Sequence, residues 1–75
     1  MLLKYEEQYR KLGLNIAYYR KLRGYSQEKL AELAGISRVH ISKVEIAEGT
    51  VSLDLLFVLA DVMQVEPWKL LQDKE

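Results

Sequence analysis

Apolar residues recur along this chain at intervals of three and four, and no stretch alternates as a half-buried strand would. Leu2, Tyr5, Tyr9, Leu12, Ile16 and Tyr19 make one stripe, which predicts a first helix over about residues 3–23. Gly13 falls inside it and costs about 1 kcal/mol of helix propensity relative to alanine, so a kinked or frayed start is expected. Gly24 is placed to end this helix in a left-handed conformation. Ser26 is a good N-cap for a second helix that runs to Ala34 and stops at Gly35. Lys29 stands where a capping box would put Glu or Gln, so Ser26 caps alone. Ser37 caps a third helix to about Ile46, and Ser52 caps a fourth to about Met63, with Asp54 favourably in its first turn. Glu66-Pro67 opens a short fifth helix, with proline at its first position.

The pattern predicts an all-α fold of five helices in one domain, residues 1–75. Residues 1–11 extend helix one, and the tail 72–75 is expected to fray. A domain of this size buries only about 60% of its unfolded surface, which bounds it to one small core. Trp68 is expected to close that core as a lid.

There is no cysteine and one histidine, His40, so no disulfide or thiolate site is available and a histidine-based metal or catalytic centre lacks co-ligands. No nucleophile–base pair is evident, so no enzyme, cofactor, metal or small-molecule ligand is expected. No apolar run approaches the roughly 18 residues of a membrane span. The N-terminus turns acidic at Glu6 without the apolar centre of a signal peptide, which makes the cytoplasm the expected location.

Net charge is zero, but its distribution is lopsided. Residues 1–43 carry nine Lys or Arg against four Glu, whereas residues 44–75 carry two Lys against seven Asp or Glu. A phosphate backbone responds to the local field rather than to the total, so the basic half remains a candidate nucleic-acid surface.

The basic half also contains a helix-turn-helix pattern between Gln27 and Ile46. Ala31 is small where two steeply crossed helices must approach, and Gly35 accepts the positive backbone angle of a tight turn. Leu30, Ala34, Ile36, Ile41 and Val44 are apolar at the inward places. Arg38, Ser42 and Glu45 fall on a neighbouring side at spacings of four and three.

On these residues the stretch Leu12 to Leu71 resembles the phage repressor and Cro type of helix-turn-helix domain, the Xre family. The matching pieces are Ile16 and Arg20; Ser26-Gln27 with Leu30-Ala31; Gly35-Ile36-Ser37; Ile41-Ser42 with Glu45; and Ser52-Leu53, Leu56, Leu59-Ala60 and Met63. The resemblance implies a lambda-repressor-like fold and sequence-specific binding of double-stranded DNA by a transcriptional regulator. Small controller proteins of restriction-modification systems are regulators of this kind. It further implies that Gln27 donates to a phosphate and that Ser37, Arg38, Val39, Ser42 and Lys43 face the DNA. Arg20 and Glu45 are implied as an ion pair tying helix one to the end of helix three. Two positions depart from the family habit: Ala47 stands where glycine is frequent, and Val51 where proline is frequent. Helix three is therefore expected to run on, with Gly49 as its stop.

Helix four carries more apolar surface than one core needs. Leu53, Leu56, Leu59, Ala60 and Met63 form the expected inward face, leaving Val51, Leu55, Val58 and Val62 as a second stripe, with Phe57 beside it. The second stripe predicts a two-fold homodimer joined through helix four; packing against the N-terminal extension is the competing use for it. A dimer would present two recognition helices to an inverted-repeat operator. Two other functions fit the same residues: an antitoxin-type autorepressor that binds a toxin protein, and a protein-interaction module that has lost DNA binding.

Overall fold

The computed structural model describes residues 3–73. A 3-10 turn (Leu3–Tyr5) leads into α1 (Glu6–Leu22), followed by α2 (Gln27–Ala34), α3 (Arg38–Glu45), α4 (Leu53–Met63) and a closing 3-10 turn (Pro67–Leu70). The described residues contain no strand. Leu2 and the last two residues of the predicted frayed tail lie outside them.

The helix starts follow from local chemistry. Ser26, Ser37 and Ser52 each accept a hydrogen bond from the backbone N–H three residues on, at 3.0–3.1 Å. Each serine thereby satisfies one of the donors that a helix N-terminus leaves open. The stops are less uniform. Gly24 and Gly35 take positive φ, +78° and +74°, as the sequence predicts. Two further helices stop the same way without glycine: Ala47 at φ +64° after α3, and Gln64 at φ +61° after α4. At all four stops the following N–H reaches back across the last turn, as in Glu48 N to Lys43 O at 2.8 Å and Val65 N to Ala60 O at 3.0 Å. The expected extension of helix three to Gly49 is thus overturned. Closing those carbonyl bonds outweighs the strain of a left-handed alanine.

The predicted fifth helix is a single 3-10 turn. Pro67 takes its first position, but the segment ends after four residues, when Leu71 N bonds back to Trp68 O at 3.0 Å. Among the described residues four α-helices, not five, make the fold.

Gly13 neither kinks nor frays α1, which runs unbroken from Glu6. A Cβ at this position would lie 2.6 Å from the carbonyl oxygens of Val44 and Glu45. Glycine is there because the end of α3 crosses α1 at backbone contact.

Ile16, Leu30, Ile41, Leu59, Met63 and Leu70 form the dry centre of the core. Trp68 is not its lid; it stays 57% exposed while Leu70, two residues on, is fully buried. Asn15, buried on α1, donates to the carbonyls of Leu70 (2.9 Å) and Gln72 (2.8 Å). Lys11 pairs with Asp73 at 2.7 Å. That hydrogen bond and the charge of Asp73 raise the Lys11 pKa above its ordinary 10.5. The first half of the tail is therefore pinned to α1 through Asp73. Arg23 donates from Nε to Met63 O (2.6 Å) and from Nη2 to Gln64 O (3.2 Å), placing a cation on the C-terminal carbonyls of α4.

Of the inward face expected for α4, Leu56, Leu59, Ala60 and Met63 are buried, and the difference lies at its edge. Leu55 is in the core at 9% exposure, and Val51 and Val62 pack partly against it. Leu53, expected inside, is 67% exposed. The free edge of α4 is Leu53, Phe57 and Val58, so of the predicted interface residues only Val58 remains open to solvent.

Candidate nucleic-acid interface

α3 has eight residues, about 12 Å of helix at 1.5 Å per residue, which matches the width of the DNA major groove at about 12 Å. Its inward side is fixed by Ile41 and Val44, both buried against α1 and α2. With those two turned in, Arg38, Val39 and Lys43 are turned out and exposed, and Ser42 sits half-buried between them. Ile46, one turn beyond Ser42, joins the outward side at 61% exposure. It was not among the expected DNA-facing residues, although its spacing of four from Ser42 and seven from Val39 puts it on the same side of α3.

Behind this face lies a connected polar network. Arg20 Nε donates to Glu45 Oε2 at 2.6 Å, and Arg20 Nη2 to Glu45 Oε1 at 3.2 Å. The third arm of the guanidinium donates from Nη1 to the Tyr25 carbonyl at 2.8 Å. The fork is the planar bidentate geometry in which an arginine–carboxylate pair is strongest. Gln27 Nε2 donates to the same Glu45 Oε1 at 2.9 Å. Arg38 Nη1 donates in turn to Gln27 Oε1 at 3.2 Å.

The order of donors leaves one orientation for the Gln27 amide. The carboxylate of Glu45 only accepts, so the NH2 group faces it, and the amide oxygen then faces Arg38. One of the two N–H bonds of Gln27 is used on Glu45, and the other is available to an incoming acceptor. Ser37 is in a similar position: its Oγ accepts from His40 N, and its own hydroxyl hydrogen can still donate.

His40 lies on the side of α3 away from Arg38, half-buried, with Nε2 3.3 Å from the Thr50 carbonyl. It braces the loop between α3 and α4. Among the described residues no cluster of His, Cys, Asp or Glu could hold a metal ion, and no helix is long and apolar enough to cross a membrane.

The predicted site residues thus divide into two groups. Gln27, Ser37, Arg38, Val39, Ser42 and Lys43 gather at one end of the molecule, around α3 and the start of α2. Val51, Leu55, Val58 and Val62 do not form one surface, because the core takes Leu55 and part of Val51 and Val62.

Comparison with known proteins gives a consistent picture. Residues 16–67 match the HTH_3 family, described as helix-turn-helix. Control protein C.SmaI of Serratia marcescens is 40% identical over 60 residues, spanning 80% of this chain and 71% of that protein. The crystal structure of the restriction-modification controller protein C.AhdI from Aeromonas hydrophila is similar with a TM-score of 0.82 at 34% identity, covering 85% of this chain and 97% of that one. The structure of SinR, a master regulator for biofilm formation, solved in complex with DNA, is similar with a TM-score of 0.76 at 34% identity, covering 81% of this chain and 98% of that one. The chain belongs to the HTH_3 family of helix-turn-helix domains, of the Xre or Cro/C1 type, close to the controller proteins C.SmaI and C.AhdI.

Proposed function

We propose that this protein is a sequence-specific double-stranded DNA-binding transcriptional regulator that acts as a homodimer on an inverted-repeat operator in the cytoplasm. Its chemistry is binding, without catalysis or a cofactor. The observation that carries this reading is the outward face of α3, whose leading arginine is held by Gln27, itself anchored on the buried Arg20–Glu45 pair. A side chain fixed before binding loses less freedom on docking, which favours selective contact.

In this reading Arg38 pairs with a guanine edge, whose two acceptors match a guanidinium fork. Val39 meets a thymine methyl, and Ser42 a base edge or phosphate. Lys43 and the free N–H of Gln27 hold phosphates, and the hydroxyl of Ser37 does the same at the helix start. The controller proteins and the DNA-bound SinR to which the chain is similar support the DNA-binding assignment. A single helix of this size covers too little duplex for strong discrimination, which two copies spaced by one helical turn, about 34 Å, would supply.

Selection from a random duplex pool at low salt, followed by mobility shift on the enriched sequences, tests the reading. Enrichment of an inverted repeat is expected. Absence of any shifted duplex, enriched or random, in dilute buffer would overturn it.

A further inference from the structure

Two large apolar side chains stand exposed on the outward side of α3, Val39 at 53% and Ile46 at 61%. They are seven positions apart, so they project within about 20° of one direction. About 10.5 Å of helix axis separates them, and three base-pair steps of about 3.4 Å cover nearly the same length. Exposed Lys43 and half-buried Ser42 lie between them. Ile46 closes the helix, and the left-handed Ala47 turns the chain back at once. Gly49 then passes so near α3 that a Cβ on it would lie 3.3 Å from the Lys43 Cβ. The loop hugs the helix and leaves the Ile46 side chain uncovered. The proposed binding mode gives Val39 a thymine methyl and gives Ile46 no partner.

We infer that Ile46 is a second methyl-reading residue, set against the C5-methyl of a thymine about three base pairs from the one that meets Val39. The inference rests on the DNA-binding reading above and deepens it by naming a specificity-determining residue and the base feature it reads. The end of α3 is poorly made for a phosphate. Ile46 has no side-chain donor, and the N–H groups of Ala47 and Glu48 are spent on Val44 O (3.2 Å) and Lys43 O (2.8 Å). The carbonyl end of a helix is partly negative, and exposed Glu48 adds charge of the same sign. What remains for Ile46 is apolar contact, and the thymine methyl is the apolar group that the major groove displays. With Lys43 and Ser42 between Val39 and Ile46, the face has two apolar ends and a polar middle, so each half-site carries a methyl at both ends of a short segment.

Replacement of thymine by uracil tests the inference, because uracil pairs identically and lacks only the C5-methyl. Each thymine of one half-site of the selected operator is replaced in turn. Affinity is read by fluorescence anisotropy for wild type, Val39→Ala and Ile46→Ala. Both side chains are more than half exposed, so the variants keep the fold, which circular dichroism melts confirm. Wild type is expected to lose about fourfold in affinity at each of two positions, the equivalent of about one buried methyl group apiece. Ile46→Ala is expected to erase most of the uracil effect at one position and keep it at the other, and Val39→Ala to do the reverse. An Ile46→Ala protein that keeps every wild-type uracil effect would overturn the inference. So would one that binds all duplexes more weakly by the same factor, since that assigns Ile46 to the sugar-phosphate backbone. Neither result touches DNA binding itself. A wild type that binds no duplex, selected or random, would overturn both readings.

Discussion

Arg20 and Glu45 meet in a two-pronged contact across 25 positions of sequence, with 10% and 7% of their side chains exposed. The pair fastens α1 to the last turn of α3, the same turn that holds Gln27 and through it Arg38. Removing either partner leaves a buried charge without its counter-ion, which typically costs about 3–5 kcal/mol. Glu45→Ala is expected to lower the urea midpoint by a corresponding amount without changing the slope of the transition. Arg20→Lys keeps the charge but loses the fork and the third arm to Tyr25, so most of the loss is expected there too.

Gly13→Ala tests the crossing of α1 and α3. Helix propensity alone favours alanine by about 1 kcal/mol. The added methyl, however, meets two backbone carbonyls at 2.6 Å, and backbone cannot turn aside as a flexible side chain would. Overpacking of this kind costs about 1–3 kcal/mol, so net destabilisation is expected. A gain in thermal midpoint would show that the two helices separate more easily than their close crossing implies.

The two left-handed stops without glycine offer the opposite outcome. Gln64 is exposed, and its carbonyl accepts from Arg23 whatever the side chain is. Gln64→Gly relieves a backbone cost of about 1 kcal/mol. For a chain of this size that corresponds to a rise of roughly 4–8 °C in thermal midpoint. Ala47 has the same sign of φ but is buried at 6% exposure, so Ala47→Gly gives up a packed methyl and is expected to gain less.

Those two stops also mark where the sequence ceases to be informative. The serine caps were legible because the hydroxyl and the amide it serves lie three residues apart. Gly24 and Gly35 were legible because glycine announces a positive φ. Ala47 and Gln64 carry no such mark, although the same closing bonds, Glu48 N to Lys43 O and Val65 N to Ala60 O, form behind them. The inward side of α4 was legible at Leu56, Leu59, Ala60 and Met63, but not at its edge with Leu53 and Leu55, because nine of its eleven residues are apolar and no polar stripe marks where the buried side ends. Asn15 and Arg23 grip carbonyls forty or more positions away, beyond the reach of any local pattern. At the candidate interface helical spacing put Arg38 and Ser42 on one side of α3, and the resemblance to the Xre family added Val39 and Lys43. The link from Gln27 to Arg38 came from neither, since it depends on how two helices cross.

That link separates two kinds of interaction open to the outward face of α3. Arg38 is held in one direction by Gln27, as a base reader should be, whereas Lys43 stands exposed on the outer edge of the same face. Arg38→Ala is expected to lose about 1–3 kcal/mol on the best operator and to relax preference at one base pair of each half-site. Lys43→Ala is expected to weaken all duplexes nearly equally. It should also make the logarithm of affinity against the logarithm of salt shallower by about 1 for each phosphate left unneutralised. Gln27→Ala frees the Arg38 guanidinium and removes the proposed phosphate donor, so it should show both signatures, with reduced selectivity at the Arg38 base pair. Fluorescence anisotropy on the selected operator and on single-base variants, titrated across salt, reads the three apart. An Arg38→Ala protein that binds more weakly but discriminates bases as before would assign that guanidinium to the phosphate backbone instead.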